Sequence, residues 1–209
     1  GADTHVTLPL SRKPVKTKQA FRLMLSGLRG GHSWINIHEG RGNALKLLAR
    51  ILGQAQAKFA FSLYRLEGGN KHNAIPREAD AVLRIRPEEE PRIRQLVEEK
   101  AAILREEYGE IDPGQRVELE ILADDTGTSS VWLSFDADRI LDALLACPHG
   151  VLARSRAVPG LVQTSNNLAL SYAKLGVGVD SESVAFRLDI GAGHTAAIIN
   201  SVMNGYAAD

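Results

Sequence analysis

Between Phe21 and Leu52 the hydrophobic period of this chain changes from two residues to three or four, and it changes across a glycine-rich loop. Phe21, Leu23 and Leu25 alternate as in a strand, whereas Leu45, Leu48, Ala49 and Leu52 recur along one helix face. The residues between them read GLRGGHSWINIHEGRGN from Gly27 to Asn43. Glycines allow the sharp backbone turns that hold an imidazole, His32, at a loop tip with Ser33 behind it. At the level of residues alone, a loop histidine without function fits the same pattern.

The remainder of the chain continues the alternation of strand and helix. Thr4 to Leu10 alternates as a short strand, followed by Pro14 and the basic positions Arg12, Lys13, Lys16 and Lys18. We read residues 1–18 as a connector into the domain, its basic side chains solvated, and not as a nucleic-acid patch. Strands are expected over Gln19–Leu28, Lys58–Glu67 and Ala74–Arg86, with helices over Asn43–Gln56 and Glu88–Tyr108. Ile93, Leu96, Val97, Ala101 and Leu104 share one face of the second helix. Gly109 to Gly114 ends it, and Val117, Leu119 and Ile121 mark a closing strand.

That order, β-α-β-β-α-β, is the ferredoxin-like one, an α+β fold with helices on one face of an antiparallel sheet. A second unit starts at about residue 126: strand Ser130–Phe135, helix Ala137–Cys147, strands Leu161–Tyr172 and Ser183–Ile190, and a helix His194–Tyr206. Its last strand is missing. The expected division is therefore a connector over 1–18, a first half over 19–125 and an incomplete second half over 126–209.

Composition excludes several classes of function. Lys plus Arg and Asp plus Glu balance at 25 each, so electrostatics gives no case for nucleic acid or an anionic membrane as partner. Cys147 is the single cysteine, which excludes an internal disulfide and fits a reducing compartment and a buried small hydrophobe. No apolar run is long enough to cross a bilayer and no charged-then-apolar leader opens the chain, so a cytoplasmic location is expected. The six histidines (His5, His32, His38, His72, His149 and His194) form no HxD or HxxxH arrangement. The acidic pairs of the second helix read as dipole complements and a solvated face. No metal site is expected within the chain.

Four strings in order carry a resemblance: GLRGGHS, IHEGRGNALKLLARIL, GGNKHNAIPREA from Gly68 and VPGLVQTSNNLA from Val158. They resemble the lid domain of bacterial aminoacyl-histidine dipeptidases, within the zinc-dependent family that includes carnosinases and aminoacylases. The resemblance runs from about Gly1 to about Asn204. It implies a lid and dimerisation domain whose zinc ligands lie outside this segment, in a catalytic domain of the same polypeptide. It also implies a homodimer, a dipeptide substrate, and a duplicated architecture.

The family implies that the histidine of the GGHS motif, here His32, stabilises the transition state, often in the partner subunit's site. Asn73, before AIP, and Asn167, in TSNN, match the family's substrate-holding asparagines, although either suits a turn or cap. Arg77 can pair with a substrate carboxylate or with a structural one. His38 reads as packing or capping. Two positions depart from the family pattern: Trp34 stands where a small residue is usual, and Gly191 where an arginine follows the penultimate strand. Both bear on substrate preference. A stand-alone ferredoxin-like module, binding a small molecule or another protein, is the competing reading.

Overall fold

The computed structural model describes residues 2–15, 19–123, 129–175 and 183–192. The alternating segments become strands because one side of each can be buried. On β2 (Gln19–Ser26), Phe21, Leu23 and Leu25 are at most 1% exposed. On β6 (Ala79–Ile85), Ala79, Ala81, Leu83 and Ile85 are likewise buried, at 4% exposure or less, and join the core. Between them in the chain lie β3 (Gly31–His32), α1 (Ala44–Gln56), β4 (Phe61–Gly68) and β5 (Ala74–Ile75). The expected strand 74–86 is thus two strands, interrupted at Pro76, which has no N–H for a ladder.

Helix α2 (Glu90–Tyr108) buries Ile93, Leu96, Val97, Ala101 and Leu104, the face that the sequence spacing selects. Strand β7 (Arg116–Ile121) follows it and pairs with β2. The first half therefore has the order β7-β2-β6-β4, every neighbour antiparallel.

The rest consists of β1 (Ala2–Val15), β8 (Ser129–Trp132), α3 (Ser134–Ala146), β9 (Gly150–Arg154), β10 (Val162–Leu175) and β11 (Ser183–Ala192). It extends the sheet as β10-β11-β1-β8, with β9 on the flank of β10. This part does not repeat the strand order of the first half. Instead of acting as a connector, the N-terminal segment is a fourteen-residue strand lying between β11 and β8. It belongs in the sheet because Val6, Leu8 and Leu10 alternate into the core at 3% exposure or less. Arg12 is not a solvated charge either. Its guanidinium donates to the carbonyls of Tyr64 and Ser130 and stacks on the rings of Tyr64 and Trp132, tying β1 to β4 and β8. The expected helix 194–206 lies outside the described residues.

The three α-helices among the described residues pack on one face of the sheet, α1 between α2 and α3, over one continuous apolar core. Asn43 starts α1: its Oδ1 accepts from the N–H groups of Leu45 and Lys46, while its Nδ2 donates to the carbonyl of Leu168 on β10. Lys46 reaches from α1 to the end of α3, donating to the carbonyls of Leu144, Leu145 and Cys147. These are the carbonyls that a helix C-terminus leaves without partners. Cys147 is fully buried, and burial pushes its thiol up to about 11.

Candidate functional site

The loop that leaves β2 does not hang free. Gly31 and His32 form β3 and pair with Ile75 and Ala74 of β5, and the N–H of Ser33 donates to the carbonyl of Asn73 at 2.9 Å. Gly30 and Gly31 both have positive φ, 59° and 135°, which side chains rarely adopt. A Cβ on Gly30 would also collide with the stem of Arg77, and one on Gly31 with Arg41 and Asn36. Both glycines are therefore required by space as well as by conformation.

Side chains then lock the loop in place. Asn36 accepts from the N–H of His32 at 2.9 Å and donates to Glu39 at 2.6 Å. Arg41 pairs with Glu39 and donates to the carbonyl of Gly30. The Asn36 hydrogen bond, followed by the Arg41 guanidinium, holds the Glu39 carboxyl below the usual carboxylate range.

His32 itself is exposed. Its Nδ1 accepts from the N–H of Trp34 at 3.1 Å. In a neutral ring that leaves the proton on Nε2, so that nitrogen is the hydrogen-bond donor. Trp34 is 80% exposed and its neighbour Ile35 66%, so the indole is not packed into the core of the described residues.

The other candidates gather around the same strand pair. Asn73 is exposed at the start of β5, and its carbonyl is the group that holds Ser33. Arg77 is exposed just after β5, its stem packed on Gly30. It lines a cleft of ≈ 560 Å³ with Arg22, Arg29, Gly31, Glu78 and Asp80. Asp80 in that cleft is paired with Arg22 and Arg65.

Asn167 stands behind β5 and not at the surface: it is 1% exposed, and its Nδ2 donates to the carbonyl of Ala74 at 2.9 Å. Its Oδ1 has no hydrogen-bond partner among the described residues. Gly191 of β11 is its cross-strand neighbour. His38 is exposed in the short 3-10 turn Ile37–Glu39.

Sequence reasoning missed Asn36 and Arg41, whose contacts span loop residues without periodicity. It also missed the fully buried Asp112, which accepts from the N–H groups of Arg29 and Gly42 at 2.7 Å each. Nothing in the sequence around Asp112, which follows the end of α2, distinguishes it from a turn residue.

Among the described residues, no three His, Cys, Asp or Glu side chains come together as a metal site. No helix among them is long and apolar enough to cross a membrane. What this arrangement offers chemically is a rigidly held imidazole N–H at the surface, flanked by an amide and a guanidinium.

Comparison with known proteins gives a domain match and two relatives. Residues 23–112 match the family model of the peptidase dimerisation domain. The cytosol non-specific dipeptidase of Escherichia coli is 34% identical over 171 residues, which is 81% of this chain and 35% of that protein. The crystal structure of aminoacylhistidine dipeptidase from Vibrio alginolyticus superposes with a TM-score of 0.86 at 30% identity, over 99% of this chain and 41% of that one. This chain thus spans well under half the length of either relative. Residues 23–112 thus carry the peptidase dimerisation domain, and the chain is similar along most of its length to these two dipeptidases.

Proposed function

We propose that this chain is the lid and dimerisation part of a metal-dependent dipeptidase, and that His32 is its transition-state donor. The observation that carries the reading is the hydrogen bond from the Trp34 N–H to His32 Nδ1, which in a neutral ring leaves the proton on Nε2 and makes that nitrogen the donor. In the proposed full-length enzyme a zinc centre, held by residues outside this segment, would supply Lewis-acid activation of the water and of the peptide carbonyl. The described residues provide no ligand set for it, so the chain's own part is the rest of the chemistry.

When the peptide carbonyl is attacked, negative charge develops on its oxygen. A donor already aimed at that place lowers the barrier without reorganising. Asn73 and Arg77 flank the histidine and are free of the core, so they suit the polar and carboxylate groups of a dipeptide. Asn167 acts one layer behind, holding the Ala74 carbonyl and with it the strand that Asn73 leads into.

A homodimer fits a dimerisation domain, and the exposed edge of β7, paired only with β2 among the described strands, is a surface for it. The cytosolic relative supports a cytoplasmic location. The stand-alone module is less favoured, because the relatives matched along most of the chain are dipeptidases.

Replacing His32 with alanine in the full-length enzyme tests the reading. Turnover should fall by roughly a hundred- to a thousandfold with KM little changed, the usual loss for one oxyanion donor. Folding and zinc content should stay normal. If the histidine serves the partner's site, mixing this variant with a subunit lacking a metal ligand should restore part of the activity. Normal turnover in His32→Ala would transfer the role to Asn73 or abolish it.

A further inference from the structure

We infer that Asp112, in the turn between α2 and β7, is a positioning residue for His32; the inference rests on the donor role proposed above. Asp112 is 0% exposed. Its Oδ1 accepts from the N–H of Arg29 and its Oδ2 from the N–H of Gly42, each at 2.7 Å. Those two amides lie at opposite ends of the segment that carries His32. One carboxylate therefore draws the base of the loop together and fixes where the histidine starts and where the chain returns to α1.

The turn does not need this carboxylate for itself. Helix α2 ends through the bond from Gly109 N–H to the Arg105 carbonyl, and the turn closes through Ile111 N–H to Tyr108 and Gln115 N–H to Asp112. The Asp112 side chain instead reaches 83 residues back to Arg29 and 70 to Gly42. Only an ionised carboxylate offers two acceptor oxygens at that spacing with no donor of its own, and burying one is costly unless its hydrogen bonds are good.

The surrounding backbone is shaped to allow the approach. Gly42 lies so close that a Cβ there would sit 3.2 Å from Asp112 Oδ2. Gly27, at φ 77°, faces the carbonyl of Gly114 where a Cβ would collide. Arg29 Nη1 also reaches the carbonyl of Ile111, at 3.5 Å. The whole turn cradles the foot of the histidine loop.

Asp112→Asn in the full-length enzyme is the test, because it keeps the shape but sets an NH2 group against one of the two N–H donors. Turnover should fall about ten- to a hundredfold, as for a misplaced catalytic group, with KM within about threefold. Deuterium exchange should rise over residues 28–43 but not over α2 or β7. In a His32→Ala background the same change should cost no more than about twofold further.

Undiminished turnover in Asp112→Asn, or a loss that multiplies fully with that of His32→Ala, would overturn the inference. If His32→Ala alone runs at normal speed, the donor role and this inference fall together. That outcome differs visibly from a slow His32→Ala beside a normal Asp112→Asn. Should Asp112→Asn fail to fold, Gly42→Ala perturbs the contact while keeping the carboxylate. It should lower turnover about two- to tenfold at constant KM, and unchanged turnover there would equally refute the inference.

Discussion

Polar groups are handled in opposite ways on the two sides of β5. On one side the His32 loop faces solvent, yet its backbone is gripped by Asn36, Arg41 and Asp112. On the other, Asn166 and Asn167 of β10 are each 1% exposed, donate to the Pro148 and Ala74 carbonyls, and leave their Oδ1 atoms without partners among the described residues. The exposed segment is the better satisfied of the two. A side chain that must meet a reacting atom can sit at the surface if its backbone is over-determined, and buried amides can serve as its support.

Acidification is the strongest way to break the buried side. His149, whose Nδ1 lies 3.2 Å from Asn43 Nδ2, is pushed down from 6.5 to about 4, first by burial and then by Lys46. The unfolded chain then binds the extra proton between those two values and the folded chain does not. Stability contributed by the neutral ring is therefore complete above pH 6.5 and lost as pH falls toward 4. The shift corresponds to about 3 kcal/mol. Urea midpoints at pH 7 and 4.5 should differ by more in the native protein than in His149→Gln; equal differences would show that this ring is not the sensor.

Asn43→Ala is expected to cost about 2 kcal/mol, since it removes a helix cap and strands the buried Leu168 carbonyl. The midpoint of chemical unfolding checks it, with an unchanged slope. Asn167→Ala sharpens the comparison more directly. Its stability cost should be about 1–2 kcal/mol, small because its side-chain oxygen is already without a partner among the described residues, but the freed Ala74 carbonyl should loosen β5. Exchange should then rise over residues 73–75 and, through the Ser33–Asn73 bond, over the loop. If only β10 responds, Asn167 does not support the site.

Trp34→Ala should change least. An indole 80% exposed contributes within about 0.5 kcal/mol of stability. The bond to His32 uses the Trp34 backbone, so the ring orientation should survive, and the full-length enzyme should change in KM across dipeptides and not in turnover. A fall in turnover comparable to that of His32→Ala would mean that the indole, and not the backbone, sets the histidine.

Much of the first half was legible in the sequence. The helix face at Ile93, Leu96, Val97, Ala101 and Leu104, and the alternations on β2 and β6, report burial directly, because period and buried face are the same physical fact. The position of His32 at a glycine turn was legible for the same local reason. Its two-residue pairing with β5 was not, because two residues have no periodicity. Nor was the placement of β1, since alternation shows that Val6, Leu8 and Leu10 are buried but not which strands they lie between.

The sequence by itself determined which apolar faces of the strands and helices are buried, where the chain must turn and which histidine stands at a glycine loop, because each depends on neighbours within a few positions. The tertiary structure alone decided that Arg12 ties three strands, that Asn167 lies behind β5, and that Asp112 closes the histidine loop across 83 and 70 residues. Hydrogen bonds and ion contacts of that kind form between groups whose proximity is set by how the sheet is assembled. A polar residue carries no mark of its distant partner in the local pattern around it.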